Sequence, residues 1–203
     1  MRVIFIFLFS VLLALPATAA KTILALGDSL TAGYGLEAGH AMPDVLQAAI
    51  QNSGMDVKII NAGISGDTAA QGAARLDWAL TPDVQAVLLE LGANDALRGL
   101  PPEGVDKALR DILDKAKAKK LPVLILGMKA PPNLGEDYRA KFDAIYSRLA
   151  ADYGAILYPF YLDGVAAQPD LNQQDGMHPN DKGVAEIVSR MLPLIKGFVS
   201  QLP

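Results

Sequence analysis

The chain has 203 residues, a formal net charge of −4, two histidines and no cysteine. That length predicts one domain with enough chain to bury a proper core. The lack of cysteine excludes disulfides, thiolate zinc sites and thiol nucleophiles, and the slightly acidic balance argues against a nucleic-acid partner, which needs clustered basic charge. A histidine general base must therefore be either His40 or His178.

Residues 1–19 are typical of an export signal. Arg2 precedes a mainly apolar run that ends in the sequence Ala-Thr-Ala-Ala, which matches the basic start, apolar stretch and A-x-A site of a signal peptide. We expect cleavage near Ala19 or Ala20, which leaves residues 20–203 as one domain, periplasmic or secreted, with no stable membrane anchor. The alternative is an uncleaved anchor, because the apolar run is almost long enough to cross a bilayer.

Apolar strand-like runs alternate with helical patterns in the rest of the chain. Strands are predicted at 22–26, 57–60, 84–91, 123–126 and 155–157. Helices are predicted from Pro43 to Gly54, at 68–80 with a cap at Asp67 or Thr68, from Pro102 onward, at 136–153, and at 180–199 with a bend at Pro193. Nearly continuous apolar strands separated by helices are typical of a parallel sheet covered on both faces. We therefore expect an α/β fold, a three-layer α/β/α sandwich around a five-stranded parallel sheet.

Four loops follow strands of this sheet or precede the last helix, where α/β proteins bind their ligands. They are Gly-Asp-Ser-Leu at 27–30, Asn-Ala-Gly-Ile-Ser-Gly-Asp at 61–67, Gly-Ala-Asn-Asp at 92–95 and Asp-Gly-Met-His-Pro at 175–179. Together they bring a hydroxyl, a turn of small residues, an amide and an Asp/His pair to one edge.

This combination of groups suits acyl transfer, which needs a nucleophile, a base, an orienting acid and donors for an oxyanion. The spacing Asp175-x-x-His178 lets the carboxylate accept from Nδ1 of the imidazole, which leaves Nε2 free to face Ser29. The G-x-S-x-G elbow of the α/β-hydrolases is absent from both serine loops.

The four loops resemble, in order, the Ser, Gly, Asn and His blocks of the SGNH, or GDSL, hydrolases. The resemblance covers the whole chain after the signal segment and is closest to the bacterial periplasmic subgroup of multifunctional thioesterase I, lysophospholipase and arylesterase enzymes. The stretches that match this subgroup are 26–34, 64–68, 89–95 and 175–180. The resemblance implies the flavodoxin-like SGNH hydrolase fold.

The same resemblance implies a role for five residues. Ser29 resembles the nucleophile, His178 the general base and Asp175 its partner. The N–H groups of Ser29 and Gly66, with the side chain of Asn94, resemble an oxyanion hole. The expected protein is a monomeric serine ester hydrolase that needs no metal or other cofactor. Its expected substrates are small-molecule carboxylic esters and acyl thioesters or lysophospholipids, cleaved through an acyl-enzyme.

The residues that select the substrate are less certain than those that react. Related enzymes often have Trp at the position of Met42, which is close to His40 in the sequence. The side chain of Trp78 is expected either in the core or in the wall of the acyl pocket. The acyl pocket is expected between residues 33 and 43, around 71–80, and at 130–137.

Other functions are compatible with parts of the pattern. A carbohydrate O-acetyl esterase would use the same residues. A flavodoxin-like binding module is the alternative outside the hydrolases, because residues 29–34 are rich in hydroxyl groups and glycine, as a phosphate-binding loop is. Structural roles are also possible: Ser29 as a helix cap, Asp28 as an acceptor that fastens its loop, and Asn94 as a turn residue.

Overall fold

A five-stranded, entirely parallel sheet forms the centre of the fold in a computed structural model that describes residues 20–202. The strands are β1 (Lys21–Gly27), β2 (Val57–Gly63), β3 (Val84–Leu89), β4 (Val123–Leu126) and β5 (Ile156–Tyr158). Their order in the sheet is β2-β1-β3-β4-β5, which is the flavodoxin-like order. The predicted signal segment, residues 1–19, lies outside the described residues.

Seven α-helices connect and cover the strands within the described part of the chain. They are α1 (Ser29–Ala32), α2 (Met42–Asn52), α3 (Ala69–Ala79), α4 (Ala93–Leu97), α5 (Pro102–Ala118), α6 (Glu136–Tyr153) and α7 (Asp181–Ser200), with short 3₁₀ helices at Pro132–Leu134 and Pro169–Leu171. Helix α2 packs against α7, and α3 and α6 pack against α5. The predicted α/β architecture is confirmed.

Burial of the strands explains why they are apolar along their whole length. Every residue of β4 is buried, as are all residues of β3 except Gln85. A strand buried on both faces has no solvent side, so the alternating pattern of a half-exposed strand is absent. The helices show the complementary pattern: Val105, Leu109 and Ile112 recur at helical spacing in α5 and are all buried.

Two of the longer helices, α3 and α7, begin at residues whose side chains cap them. Thr68 caps α3 in a capping box with Gln71, so Thr68 rather than Asp67 is the cap. Asn180 caps α7 by accepting from the N–H of Gly183. No helix within residues 20–202 is both long and apolar enough to cross a membrane.

Several expectations about local structure are corrected. A helix after β1 is present, but its cap is Asp28 and not Ser29. Helix α4 was not predicted, because five residues are too few to show a helical period. Strand β3 ends at Leu89 rather than at residue 91. Trp78 is 85% exposed, so it belongs to neither core nor pocket, whereas Met42 is fully buried in the core.

Candidate active site

Ser29 is the first residue of α1, directly after the carboxyl end of β1. The turn between them is tight: a Cβ on Gly27 would collide with the side chain of Thr31, so only glycine fits there. Asp28 caps α1, because its Oδ1 accepts from the N–H of Leu30 at 3.0 Å. The cap is thus Asp28, and the hydroxyl of Ser29 remains free for another partner.

That partner is His178, which lies 149 positions further along the chain. The hydroxyl of Ser29 is 2.9 Å from Nε2 of His178, and Nδ1 of the same ring is 2.6 Å from Oδ2 of Asp175. With the proton on Nδ1, the ring donates to Asp175 and accepts from Ser29. The three side chains form one continuous hydrogen-bonded chain.

Backbone groups hold Asp175 in place as firmly as the imidazole does. Its Oδ1 accepts from the N–H groups of His178, at 3.0 Å, and Met177, at 2.9 Å. These two bonds, together with the imidazole, lower the pKa of Asp175 to about 2. The carboxylate therefore stays ionised at any pH at which an esterase works, and it can accept from the imidazole throughout that range.

The loop that presents His178 is tied to the loop after α1. The side-chain amide of Gln173 donates to the carbonyl of Tyr34 at 2.7 Å, and its backbone N–H donates to the carbonyl of His178 at 2.7 Å. The ring of Tyr34 lies against the imidazole with centroids 4.7 Å apart. These contacts help to hold the imidazole beside Ser29.

Two backbone N–H groups and one side-chain amide, on the loops after β1, β2 and β3, have hydrogens available for a further acceptor. Within residues 20–202, the N–H groups of Ser29 and Gly66 have no protein acceptor. Gly66 has a φ of +88°, a left-handed conformation that glycine adopts readily, and its carbonyl accepts from Arg98 at 2.8 Å. Nδ2 of Asn94 donates one hydrogen to Oδ2 of Asp28 at 3.1 Å, which leaves its second hydrogen free.

The loop that contains Gly66 is held from below by a buried ion pair. Nε of Arg75 donates to the carboxylate of Asp67 at 2.6 Å, and the other guanidinium nitrogens donate to the carbonyls of Ala62, at 2.8 Å, and Gly27, at 2.9 Å. One arginine thus joins the ends of β1 and β2. The rigid connection fixes the distance between the two loops.

An apolar cavity of about 390 Å³ opens beside Ser29, Asn94 and His178. Its apolar walls come from the loops after β3, β4 and β5 and from the loop before α7: Ala96, Leu97, Met128, Pro131, Phe160, Leu162 and Met177. The predicted pocket is therefore only partly correct. Residues 130–132 line it, but 33–43 and 71–80 do not, because the chain places those segments on the side of β1 and β2.

A second cavity, of about 410 Å³, lies between the carboxyl-terminal ends of α5, α6 and α7 and contains none of the predicted site residues.

Within residues 20–202 there is no group of three or more His, Asp or Glu side chains that could hold a metal ion. His40 is exposed and pairs with Asp181 at 3.0 Å, away from Ser29.

The structure joins Ser29, His178 and Asp175 by hydrogen bonds and places Asn94 on the wall of the same cavity as Ser29 and His178. Gly66 lies in the neighbouring loop after β2.

The structure also adds groups that sequence reasoning missed. Glu90, Arg98 and Gln173 each bond to a loop of the site. Only Glu90 left a signal in the sequence: it is the one charged residue in the predicted apolar run 84–91. Arg98 and Gln173 lie in polar loops, where such residues are ordinary.

Comparisons with known proteins agree with this geometry. Residues 25–185 match the GDSL-like Lipase/Acylhydrolase family. The chain is 44% identical over 175 residues to thioesterase 1/protease 1/lysophospholipase L1 of Escherichia coli K12, covering 86% of this chain and 83% of the relative. It is 39% identical over 186 residues to an arylesterase of Vibrio mimicus, covering 89% of this chain and 92% of the relative.

A solved structure shares the same fold. The esterase EstA from Pseudoalteromonas sp., in a form inhibited by monoethylphosphonate, superposes with a TM-score of 0.84 at 35% identity, over 89% of this chain and all of that one. The chain belongs to the GDSL-like lipase/acylhydrolase family, as its motifs predict. It is a carboxylic ester hydrolase with the SGNH fold, so the flavodoxin-like binding module is excluded.

Proposed function

We propose that Ser29 is the nucleophile, His178 the general base and acid, and Asp175 the group that orients His178. Oγ of Ser29 bonds to the acyl carbon while its proton moves to Nε2 of His178. His178 then gives that proton to the leaving oxygen or sulfur, whose bond to carbon breaks, and an acyl-enzyme remains. Water repeats the sequence, with His178 taking its proton and returning one to Ser29.

We infer that the N–H groups of Ser29 and Gly66 and the side-chain amide of Asn94 stabilise the oxyanion of both tetrahedral intermediates. All three are neutral donors on short, fixed loops, so they need no reorganisation as charge develops. The absence of protein acceptors for the two N–H groups within the described residues supports this role.

We further propose that the acyl chain of the substrate lies in the 390 Å³ cavity and that thioesters and lysophospholipids are cleaved as well as simple esters. The cavity has mainly apolar walls and opens at Ser29, which suits an unbranched hydrocarbon chain. Each methylene buried there adds about 0.8 kcal/mol of binding. In a series of p-nitrophenyl esters, kcat/KM should rise by up to about fourfold per methylene until the cavity is full.

The chain-length series also separates this proposal from a carbohydrate O-acetyl esterase. An enzyme specific for acetyl groups would show its highest kcat/KM at acetate and a steady fall with chain length. Thioesters of coenzyme A and lysophosphatidylcholine of matched acyl length, tested beside the aryl esters, identify the preferred leaving group.

The single observation that supports the catalytic proposal is the unbroken chain of hydrogen bonds from Ser29 through His178 to Asp175. The test is hydrolysis of p-nitrophenyl butyrate by Ser29→Ala and by a matched control, Ser65→Ala, in which an exposed serine of the same site is changed. We expect Ser29→Ala to lose at least about 10⁴-fold in kcat and the control to stay close to wild type. Full activity in Ser29→Ala would overturn the proposal.

We propose that the protein is exported and that residues 1–19 are removed. Strand β1 begins at Lys21, whose ammonium group donates to the carbonyls of Val199 and Leu202. Cleavage near Ala19 or Ala20 would therefore leave every strand residue in the mature chain. Amino-terminal sequencing of the protein from the periplasm should begin at residue 20 or 21, whereas a start at Met1 would contradict the proposal.

A further inference from the structure

Two carboxyl groups lie buried side by side behind the predicted oxyanion hole. Asp28 follows β1 and Glu90 follows β3, which are neighbours in the sheet, and the two residues are 0% and 1% exposed. Neither forms an ion pair with a Lys or Arg side chain within residues 20–202; the nearby Arg75 is occupied by Asp67. Two buried carboxylates without a cation would repel each other, so one of the two must hold a proton.

The hydrogen bonds show which group holds it. Both oxygens of Asp28 accept bonds, from the N–H of Leu30 and from the amide of Asn94. Oε2 of Glu90 accepts from the N–H of Asp28, at 3.2 Å, and from the hydroxyl of Thr31, at 2.9 Å. Oε1 of Glu90, however, is buried and has no hydrogen-bond partner among residues 20–202.

A charged oxygen buried in that way would be costly, whereas a carboxylic acid at Glu90 has a ready acceptor. Oε2 of Glu90 lies 3.2 Å from the backbone nitrogen of Asp28, so the carboxylate of Asp28 is the neighbouring acceptor. Glu90 can therefore donate its proton to Asp28 without losing the two bonds that its other oxygen accepts.

We propose that Glu90 is a positioning residue for Asn94: it is a neutral acid that donates to the Asp28 carboxylate, and Asp28 in turn holds the amide nitrogen of Asn94 toward the substrate. The proposal rests on the role proposed above for Asn94. A carboxylate at Asp28 accepts only, so it selects the NH₂ end of the amide. If Asp28 held the proton instead, it would attract the amide oxygen and turn the donor away.

The titration behaviour of the pair agrees with this assignment. Burial, and then the charge of Asp28, raise the pKa of Glu90 well above its usual range. Burial raises the pKa of Asp28 to about 6, while the bonds from Leu30, Asn94 and Glu90 oppose that rise. The first proton taken up by the pair therefore goes to Glu90.

The other ionisable groups around the pair do not favour a second negative charge. Tyr146 and Tyr161 lie beside it, fully buried, and burial together with the nearby carboxylates raises the pKa of each well above the usual range. Asp95 adds a further carboxyl group, and its charge also acts on Tyr146. The positive groups nearby are bonded elsewhere: the guanidinium of Arg75 to Asp67 and to the carbonyls of Ala62 and Gly27.

The test compares Glu90→Gln with Glu90→Met in the full-length processed enzyme, with p-nitrophenyl butyrate as substrate. Glutamine keeps a donor for Asp28 and an acceptor for Thr31, so we expect kcat within about threefold of wild type. Methionine has a similar length but neither group, so kcat should fall by about tenfold or more, with little change in KM, because the oxyanion forms only after binding. Equal losses in both variants would overturn the proposal.

A double-mutant cycle shows whether Glu90 acts through Asn94. Asn94→Ala alone should cost about a hundredfold in kcat, and adding Glu90→Met to it should cost nothing further. Independent, multiplying losses would overturn the positioning role while leaving the proposed function intact. Wild-type kcat in Asn94→Ala would instead overturn the assignment of Asn94 to the oxyanion hole, and the positioning role with it.

Infrared difference spectroscopy tests the proton itself, independently of catalysis and of whether Glu90→Met folds. The spectrum of wild type minus Glu90→Gln at neutral pH should contain the carbonyl stretch of a protonated carboxylic acid. A difference that contains only carboxylate bands would show that Glu90 is ionised, which contradicts the proposal.

Discussion

The two histidines of this chain each pair with an aspartate, but their surroundings differ. His178 contacts Asp175 at 2.6 Å, and its other nitrogen lies 2.9 Å from the hydroxyl of Ser29. His40 contacts Asp181 at 3.0 Å, and no serine hydroxyl lies on its other nitrogen within residues 20–202. The side chain of His178 is 18% exposed and that of His40 is 46% exposed.

This difference explains why we propose a catalytic role for one His–Asp pair and not for the other. The pair must be partly shielded from water, and the second imidazole nitrogen must reach a nucleophile. His40 instead connects the loop before α2 to the first turn of α7, where the negative charge of Asp181 suits the helix dipole. We therefore assign chemistry to His178 and a small structural role to His40.

The largest effect that distinguishes the pairs is expected for His178→Ala. Without a base, Ser29 keeps its proton, so kcat for p-nitrophenyl butyrate should fall by at least about 10⁴-fold, as in Ser29→Ala. The double variant Ser29→Ala/His178→Ala should be no worse than either single variant, because the residues act as a unit. A loss smaller than about tenfold in His178→Ala would contradict its role as the base.

A loss no larger than this is expected for Asp175→Asn, measured with the same ester. The amide oxygen can still accept from the N–H groups of Met177 and His178, which keeps the loop in place, but the negative charge beside the imidazole is lost. The amide nitrogen then faces Nδ1 of the imidazole and favours the tautomer with its proton on Nε2, which cannot accept from Ser29. We therefore expect kcat to fall by up to about 10⁴-fold, no more than for His178→Ala. An unchanged kcat would show that Asp175 only shapes its loop.

The pH dependence of stability and activity tests the role of Asp175 in a second way. The pKa of Asp175 is lowered to about 2 by the N–H groups of His178 and Met177, so its contribution to stability is present above its unfolded pKa and lost as the pH falls through the folded value. Protonation of Asp175 should therefore not account for activity that is lost between neutral pH and pH 5. The Tm of Asp175→Asn should therefore be closest to that of wild type at the lowest pH at which thermal melts are recorded.

The smallest effect is expected for His40→Gln, the matched control for His178. Its kcat and KM should lie within about twofold of wild type. The contact with Asp181 raises the pKa of His40, so any stabilisation is complete below the unfolded pKa and disappears as the pH rises through the folded value. We expect the Tm of His40→Gln to be slightly below that of wild type at low pH and equal to it at alkaline pH. A large loss of activity in His40→Gln would contradict the purely structural role of the His40–Asp181 pair.

Much of this molecule could be predicted from its sequence because the fold and the site depend on local signals. The five strands follow from apolar runs, and the caps of α3 and α7 from Thr68 and Asn180. The five site residues follow from motifs at the ends of those strands. The parallel sheet brings these ends to one edge, so their order along the chain already implies their proximity.

What could not be predicted depends on contacts between distant loops. The pocket walls come from 93–97 and 160–167 rather than 71–80, since sheet order, not sequence distance, decides which loops are neighbours. The partner of His40 is 141 positions away. The pairing of Glu90 with Asp28 is likewise a property of adjacent strand ends, although an acidic residue inside an apolar run was a visible sign of it.

The most direct test of the acyl-enzyme mechanism is to locate a covalent adduct. A fluorophosphonate reacts with an activated serine and displaces fluoride, so intact mass spectrometry followed by peptide mapping identifies the residue that was attacked. We expect one phosphonyl group per chain, on the peptide that contains Ser29, and no adduct in His178→Ala over the same time. An adduct on another residue, or equal labelling of Ser29→Ala, would contradict the assignment of Ser29 as the nucleophile.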